Sequence, residues 1–148
     1  FVTHGAFPPV DSTPSVRELL ASLRPSDYFG IMAYMRQTPD TDAVFHTVRR
    51  RIGERYRIST TMGYGPRFLH STGQLHKGGP DQCVLLQVVT GHPDDLPVPG
   101  KAYSFGTVAD SQALGDLQAL QSLKRRVGRI VLEDDVASLL SRAFEAAF

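Results

Sequence analysis

The sequence is poor in the features that would send it to a membrane, to nucleic acid or to an oxidising compartment. It has one cysteine in 148 residues. Cys83 therefore has no internal disulfide partner, and it has no neighbours at metal-ligand spacing. It lies in the apolar run Cys83-Val84-Leu85-Leu86-Gln87-Val88-Val89, where an unpaired thiol behaves as a small hydrophobe, so a core position is predicted. Charge of one sign is also missing: 16 basic and 15 acidic side chains leave a formal net charge of +1, too little to draw nucleic acid or an anionic membrane. No apolar run approaches the roughly 18 residues of a membrane span. These absences predict a cytoplasmic protein with neither a membrane nor a nucleic-acid partner. The five histidines include His4, His46 and His92, which are scattered. They lack the clustering that zinc requires, and no metal is expected.

What is present supports one core, since 148 residues with 41% hydrophobic content fit a single domain. The chain begins at Phe1 on a segment holding Pro8, Pro9 and Pro14. Such composition predicts a linker from an upstream domain over residues 1–12, followed by one domain over 13–148. Thr13 and Pro14 read as the start of a first helix carrying Val16, Leu19, Leu20 and Leu23. Tyr28 to Met35 reads as a strand buried on both faces. A second helix from Asp40 or Thr41 presents Val44, Val48 and Ile52, with Arg49, Arg50 and Arg51 largely on the wet side. Strands are predicted over Ile58–Met62, Cys83–Thr90 and Arg129–Leu132. Further helices are predicted over Ser104–Leu123, with a stripe of Phe105, Val108, Leu114, Leu117 and Leu120, and from Val136 to Ala147. Apolar strands separated by helices call for an α/β three-layer sandwich with a mainly parallel sheet. The acidic pairs Asp94-Asp95 and Glu133-Asp134-Asp135 read as a loop and as a helix start, where carboxylates suit the macrodipole.

Chemistry concentrates after the second strand, in GYGPRFLHSTGQLHKGGP, Gly63 to Pro80. In a parallel sheet this is the side where ligands bind. Gly63, Gly65 and Gly73 suit a backbone that bends or approaches a ligand closely. Arg67 and Lys77 could neutralise a phosphate. Ser71, Thr72 and Gln74 offer hydrogen bonds to hydroxyls, and His70 or His76 could move a proton near neutral pH. Lys77 is followed by Gly78, so the segment is not a Walker A loop. A ligand-free role for both histidines, on a helix surface or at a cap, is the alternative on composition alone.

Two long segments carry a resemblance. TTMGYGPRFLHSTGQLHKGGP, Thr60 to Pro80, and PGKAYSFGTVADSQALGDLQAL, Pro99 to Leu120, closely resemble the C-terminal end of bacterial glucose-6-phosphate isomerases of the kind fused behind a transaldolase. The likeness extends from about Ser26 to Leu132 and includes DYFGIMAYM at the first strand. It implies a sugar-isomerase (SIS) type α/β domain that interconverts glucose 6-phosphate and fructose 6-phosphate through an enediolate, with acid/base groups and no metal or organic cofactor. The residues matching the family's signature are His70, Ser71, Thr72, Gly73, Gln74, His76 and Lys77. On that resemblance His76 or His70 transfers protons, Lys77 offsets negative charge, and Ser71, Thr72 and Gln74 orient hydroxyls. The family's base glutamate and phosphate loops lie largely upstream. Glu18, Glu54, Glu133 and Glu145 fall on predicted helices or helix starts, so none is nominated. The resemblance thus implies half a site, completed by the upstream isomerase and transaldolase domains of the same polypeptide or by another copy in a homo-oligomer. The alternative is a non-catalytic phosphosugar-binding or assembly module.

Overall fold

In a computed structural model that describes residues 13–133 and 135–148, four strands form one all-parallel sheet in the order β2-β1-β3-β4. The linker expected over residues 1–12 lies outside the described residues. The strands are β1 (Tyr28–Tyr34), β2 (Ser59–Tyr64), β3 (Cys83–Thr90) and β4 (Arg126–Leu132). The helices are α1 (Val16–Ala21), α2 (Pro39–Tyr56), α3 (Thr72–Gly78), α4 (Phe105–Ser122) and α5 (Val136–Glu145), with a 3₁₀ turn over Arg67–His70.

The three layers follow from the two-residue period of the strands. Phe29, Ile31 and Ala33 of β1, with Val84, Leu86 and Val88 of β3, pack under α1, α2 and α5. The alternate residues Met32, Tyr34, Cys83, Leu85 and Val89 pack with Phe68 of the 3₁₀ turn and with Ala113, Leu117 and Leu120 of α4. Cys83 is fully buried, as its apolar run predicts.

Local signals set most boundaries, and a few expectations are corrected. The cap of α1 is Ser15, whose hydroxyl accepts from the Glu18 N–H while the Glu18 carboxylate accepts from the Ser15 N–H. Thr13 sits too early to cap and instead accepts from the Arg129 N–H of β4. Helix α2 starts at Pro39 behind Thr38, one residue before the expected Asp40. Its arginines divide: Arg49 donates to the Thr60 side chain and carbonyl, whereas Arg51 stacks on the Phe148 ring. The α4 stripe holds at Leu117 and Leu120, but Phe105 and Val108, in the first turn of α4, are exposed.

Candidate functional site

Strand order creates a switch point. From β1 the chain turns one way, through α2 to β2; from its neighbour β3 it turns the other way, through α4 to β4. The two loops part there and leave a crevice at the carboxyl edge, where open α/β sheets hold ligands. A cleft of about 710 Å³ occupies this place, within the range of small-molecule sites. The β1–α2 corner lines it with Tyr34, Arg36, Thr38, Asp40 and Thr41. The β3–α4 connection contributes Thr90, His92, Asp94, Asp95 and Phe105, and Glu133 and Asp135 close the far side.

The charge of this lining matters for ligand class. Among the described residues of the lining, Asp40, Asp94, Asp95, Glu133 and Asp135 stand with two basic side chains, Arg36 and His92, and Arg36 is itself 4.0 Å from Asp94. Carboxylates accept hydrogen bonds from hydroxyls and repel phosphate. The carboxylate of Asp95 is also structural, since it accepts the Gly106 N–H at 2.7 Å. Its bonds from the Ser104 side chain and the Gly106 backbone hold it below the ordinary carboxylate range. The Asp42 carboxylate, behind the rim, accepts from Tyr64 at 2.6 Å and Gln37 at 2.8 Å and is lowered likewise. Tyr64, partly buried against it, is pushed up to about 12.

The Gly63–Pro80 motif starts at this cleft and leaves it. Gly65 lines the cleft, and a Cβ there would lie 2.5 Å from the Tyr34 ring, so glycine lets the turn close over β1. Arg67 follows at the rim, exposed, with Nη2 3.5 Å from the Gln37 side-chain oxygen. His70, Ser71, Thr72 and Gln74 are also exposed, at the start of α3 beside edge strand β2. Ser71 donates to the Phe68 carbonyl and Gln74 to the Leu69 carbonyl. Gly73 is buried against Phe68, where a Cβ would lie 3.0 Å from its carbonyl oxygen.

From there α3 runs back toward the amino edge of the sheet, and its last turn faces inward. His76 is 2% exposed, with Nδ1 2.7 Å from the Tyr28 hydroxyl. Room for its ring comes from Gly30, whose Cβ would stand 3.4 Å from His76 Cε1. Burial pushes this imidazole down from its usual value, so it stays neutral at neutral pH. Lys77 forms an ion pair with Asp116 of α4, a carboxylate only 2% exposed, and Arg125 donates to the Lys77 carbonyl at 2.8 Å. The motif is therefore divided. Arg67, His70, Ser71, Thr72 and Gln74 are exposed, whereas His76 and Lys77 do not line the cleft; a hydrogen bond to Tyr28 and an ion pair to the buried Asp116 hold them as fasteners of α3.

Sequence reasoning missed the residues that do line the cleft, above all Thr90, His92 and Asp95. The available signal was position, because His92 stands two residues beyond the end of an apolar strand. That signal becomes informative only once β1 and β3 are known to be neighbours. Among the described residues no cluster of metal-ligating side chains is found and no helix is long and apolar enough to cross a membrane.

With this geometry in hand, comparisons supply a fold. No family model matches the chain, and no curated protein matches it. The crystal structure of a hypothetical protein from Thermus thermophilus is similar, with a TM-score of 0.71 and 18% identity over 88% of this chain and 36% of that one. The chain thus spans little more than a third of that protein, and the likeness is one of fold.

Proposed function

We propose that this chain is a SIS-like domain of a glucose-6-phosphate isomerase that receives the hydroxyl-bearing carbons of fructose 6-phosphate or glucose 6-phosphate. The observation that carries the proposal is the carboxylate-rich, ligand-sized cleft at the β1/β3 switch point. The resemblance of Thr60–Pro80 and Pro99–Leu120 to that isomerase family supports the substrate class. Because the lining is acidic, the phosphate is held by cationic groups outside the cleft. Arg67 at the rim is the nearest candidate in this chain, and the upstream domain or a second copy supplies the rest. His70, Ser71, Thr72 and Gln74, all exposed, complete the substrate contacts across that junction. On this reading the chemistry is acid/base throughout, needs no cofactor and takes place in the cytoplasm.

Calorimetry of the chain tests the proposal. Fructose 6-phosphate at about ten times its Kd is expected to raise Tm by about 4 °C, the size that ligand linkage gives for a domain of this length. Inorganic phosphate alone is expected to do less. Identical melting curves with and without millimolar fructose 6-phosphate would remove the binding claim.

A second reading, a phosphosugar-binding or assembly module without catalysis, draws on the inward placement of His76 and Lys77. Turnover by a polypeptide that includes the upstream domains separates the two readings.

A further inference from the structure

His92 and Asp110 form a pair that neither composition nor resemblance singles out. His92 sits on the β3–α4 connection at the cleft, and Asp110 lies one turn into α4 behind it. His92 Nε2 is 2.7 Å from Asp110 Oδ1, and the two side chains are 25% and 32% exposed. An ionised carboxylate only accepts hydrogen bonds, so opposite it Nε2 is the donor, which in the singly protonated ring leaves Nδ1 as the acceptor. A Cβ on Gly106 would lie 2.8 Å from His92 Cδ2, so glycine at the first turn of α4 lets the imidazole approach the helix closely. A base oriented by a carboxylate, on a residue that lines a ligand-sized cleft, is the arrangement of general acid/base catalysis.

We propose that His92 exchanges a proton with a hydroxyl of the ligand in the switch-point cleft, and that Asp110 is its positioning residue. The proposal rests on the cleft being a site for a hydroxyl-bearing ligand. Nδ1 takes the proton of a ligand hydroxyl; Asp110 offsets the charge of the imidazolium; the same proton then passes from Nδ1 to a ligand oxygen. The ring ends as it began, and no oxidant or cofactor enters. The neighbouring charges are Asp94 and Asp95 on the same connection and Arg36, on the β1–α2 corner, which pairs with Asp94. None of them is hydrogen-bonded to His92 Nδ1.

Nitrogen-resolved NMR of the chain, with fructose 6-phosphate as probe, tests the proposal. The expected spectrum of the free protein has His92 in the Nε2–H form. Saturating probe is expected to shift His92 Nδ1 together with the amides of Thr90 and Gly106. Asp110→Asn is expected to reduce the Nε2–H population and weaken the Nδ1 response, and Asp110→Glu to restore both in part. A purely structural pair would give the tautomer without the Nδ1 response. If the cleft amides shift while His92 Nδ1 does not, or if the free ring is the Nδ1–H form, the proposal is overturned and the cleft reading stands. If no cleft amide shifts, both are overturned.

Discussion

The amino and carboxyl edges of this sheet hold similar side chains and use them in opposite ways. At the amino edge polar groups are paired and covered: Arg126 donates both Nη groups to the Asp27 carboxylate at 2.7 and 2.8 Å, His76 bonds Tyr28, and Lys77 meets Asp116. At the carboxyl edge the carboxylates of Asp40, Asp94 and Glu133 are exposed, and His92 keeps a nitrogen without a partner among the described residues. A histidine or lysine identifies a site only through what surrounds it, because burial with a full set of partners removes the group from chemistry with a ligand.

The strongest way to break this contrast is at the amino edge. Asp27→Ala is expected to lower stability by about 3 kcal/mol in denaturant titration, because it leaves Arg126 largely buried without its partner. A loss below about 1 kcal/mol would show that this edge is not the fastened one. Asp27 also sets a pH dependence. The Arg126 hydrogen bonds hold its carboxyl below the ordinary carboxylate range, so its contribution is present above the unfolded-state pKa and is lost as pH falls through the lower folded-state value.

His76→Ala is expected to cost about 2 kcal/mol, from the cavity and the unsatisfied Tyr28 hydroxyl, while fructose 6-phosphate affinity stays within about twofold. Weakened affinity at intact fold would return His76 to the ligand site. Its titration sharpens the same point. Because burial lowers the folded-state pKa, the unfolded chain binds the proton first, and stability falls as pH drops below the ordinary histidine value of about 6.5. The slope approaches about 1.4 kcal/mol per pH unit, and the difference between the wild-type and His76→Gln stability curves below that pH measures it. A smaller effect is expected at the cleft rim. Thr38→Ala removes the cap that accepts the Thr41 N–H at 3.2 Å and is expected to cost about 1 kcal/mol, read by thermal melting.

The layered fold was legible because its cause is local: nearly continuous apolar strands alternate with helices that carry apolar stripes, although the cap read at Thr13 falls at Ser15. The inward turn of His76 and Lys77 was not legible, because it depends on Gly30 and Tyr28 of β1 and on Asp116 of α4, all distant in sequence. The exposure of Phe105 and Val108 was hidden for a related reason, since a helical stripe does not reveal which of its turns are covered by other elements. The cleft itself needed strand order, and order is a long-range property that no spacing of residues reports. Arg67, His70, Ser71, Thr72 and Gln74 were read with His76 and Lys77 as one site because their motif is contiguous, and contiguity does not report that the first five are exposed while His76 is buried.

A map of backbone amide shifts on adding fructose 6-phosphate to the chain decides whether the switch point holds the ligand. The expected map centres on Tyr34 to Thr41, Thr90 to Asp95 and Gly106, with His76 and Lys77 unmoved. Shifts confined to His76, Lys77 and the amino edge would contradict the assignment of the cleft and restore the histidine-lysine turn as the site.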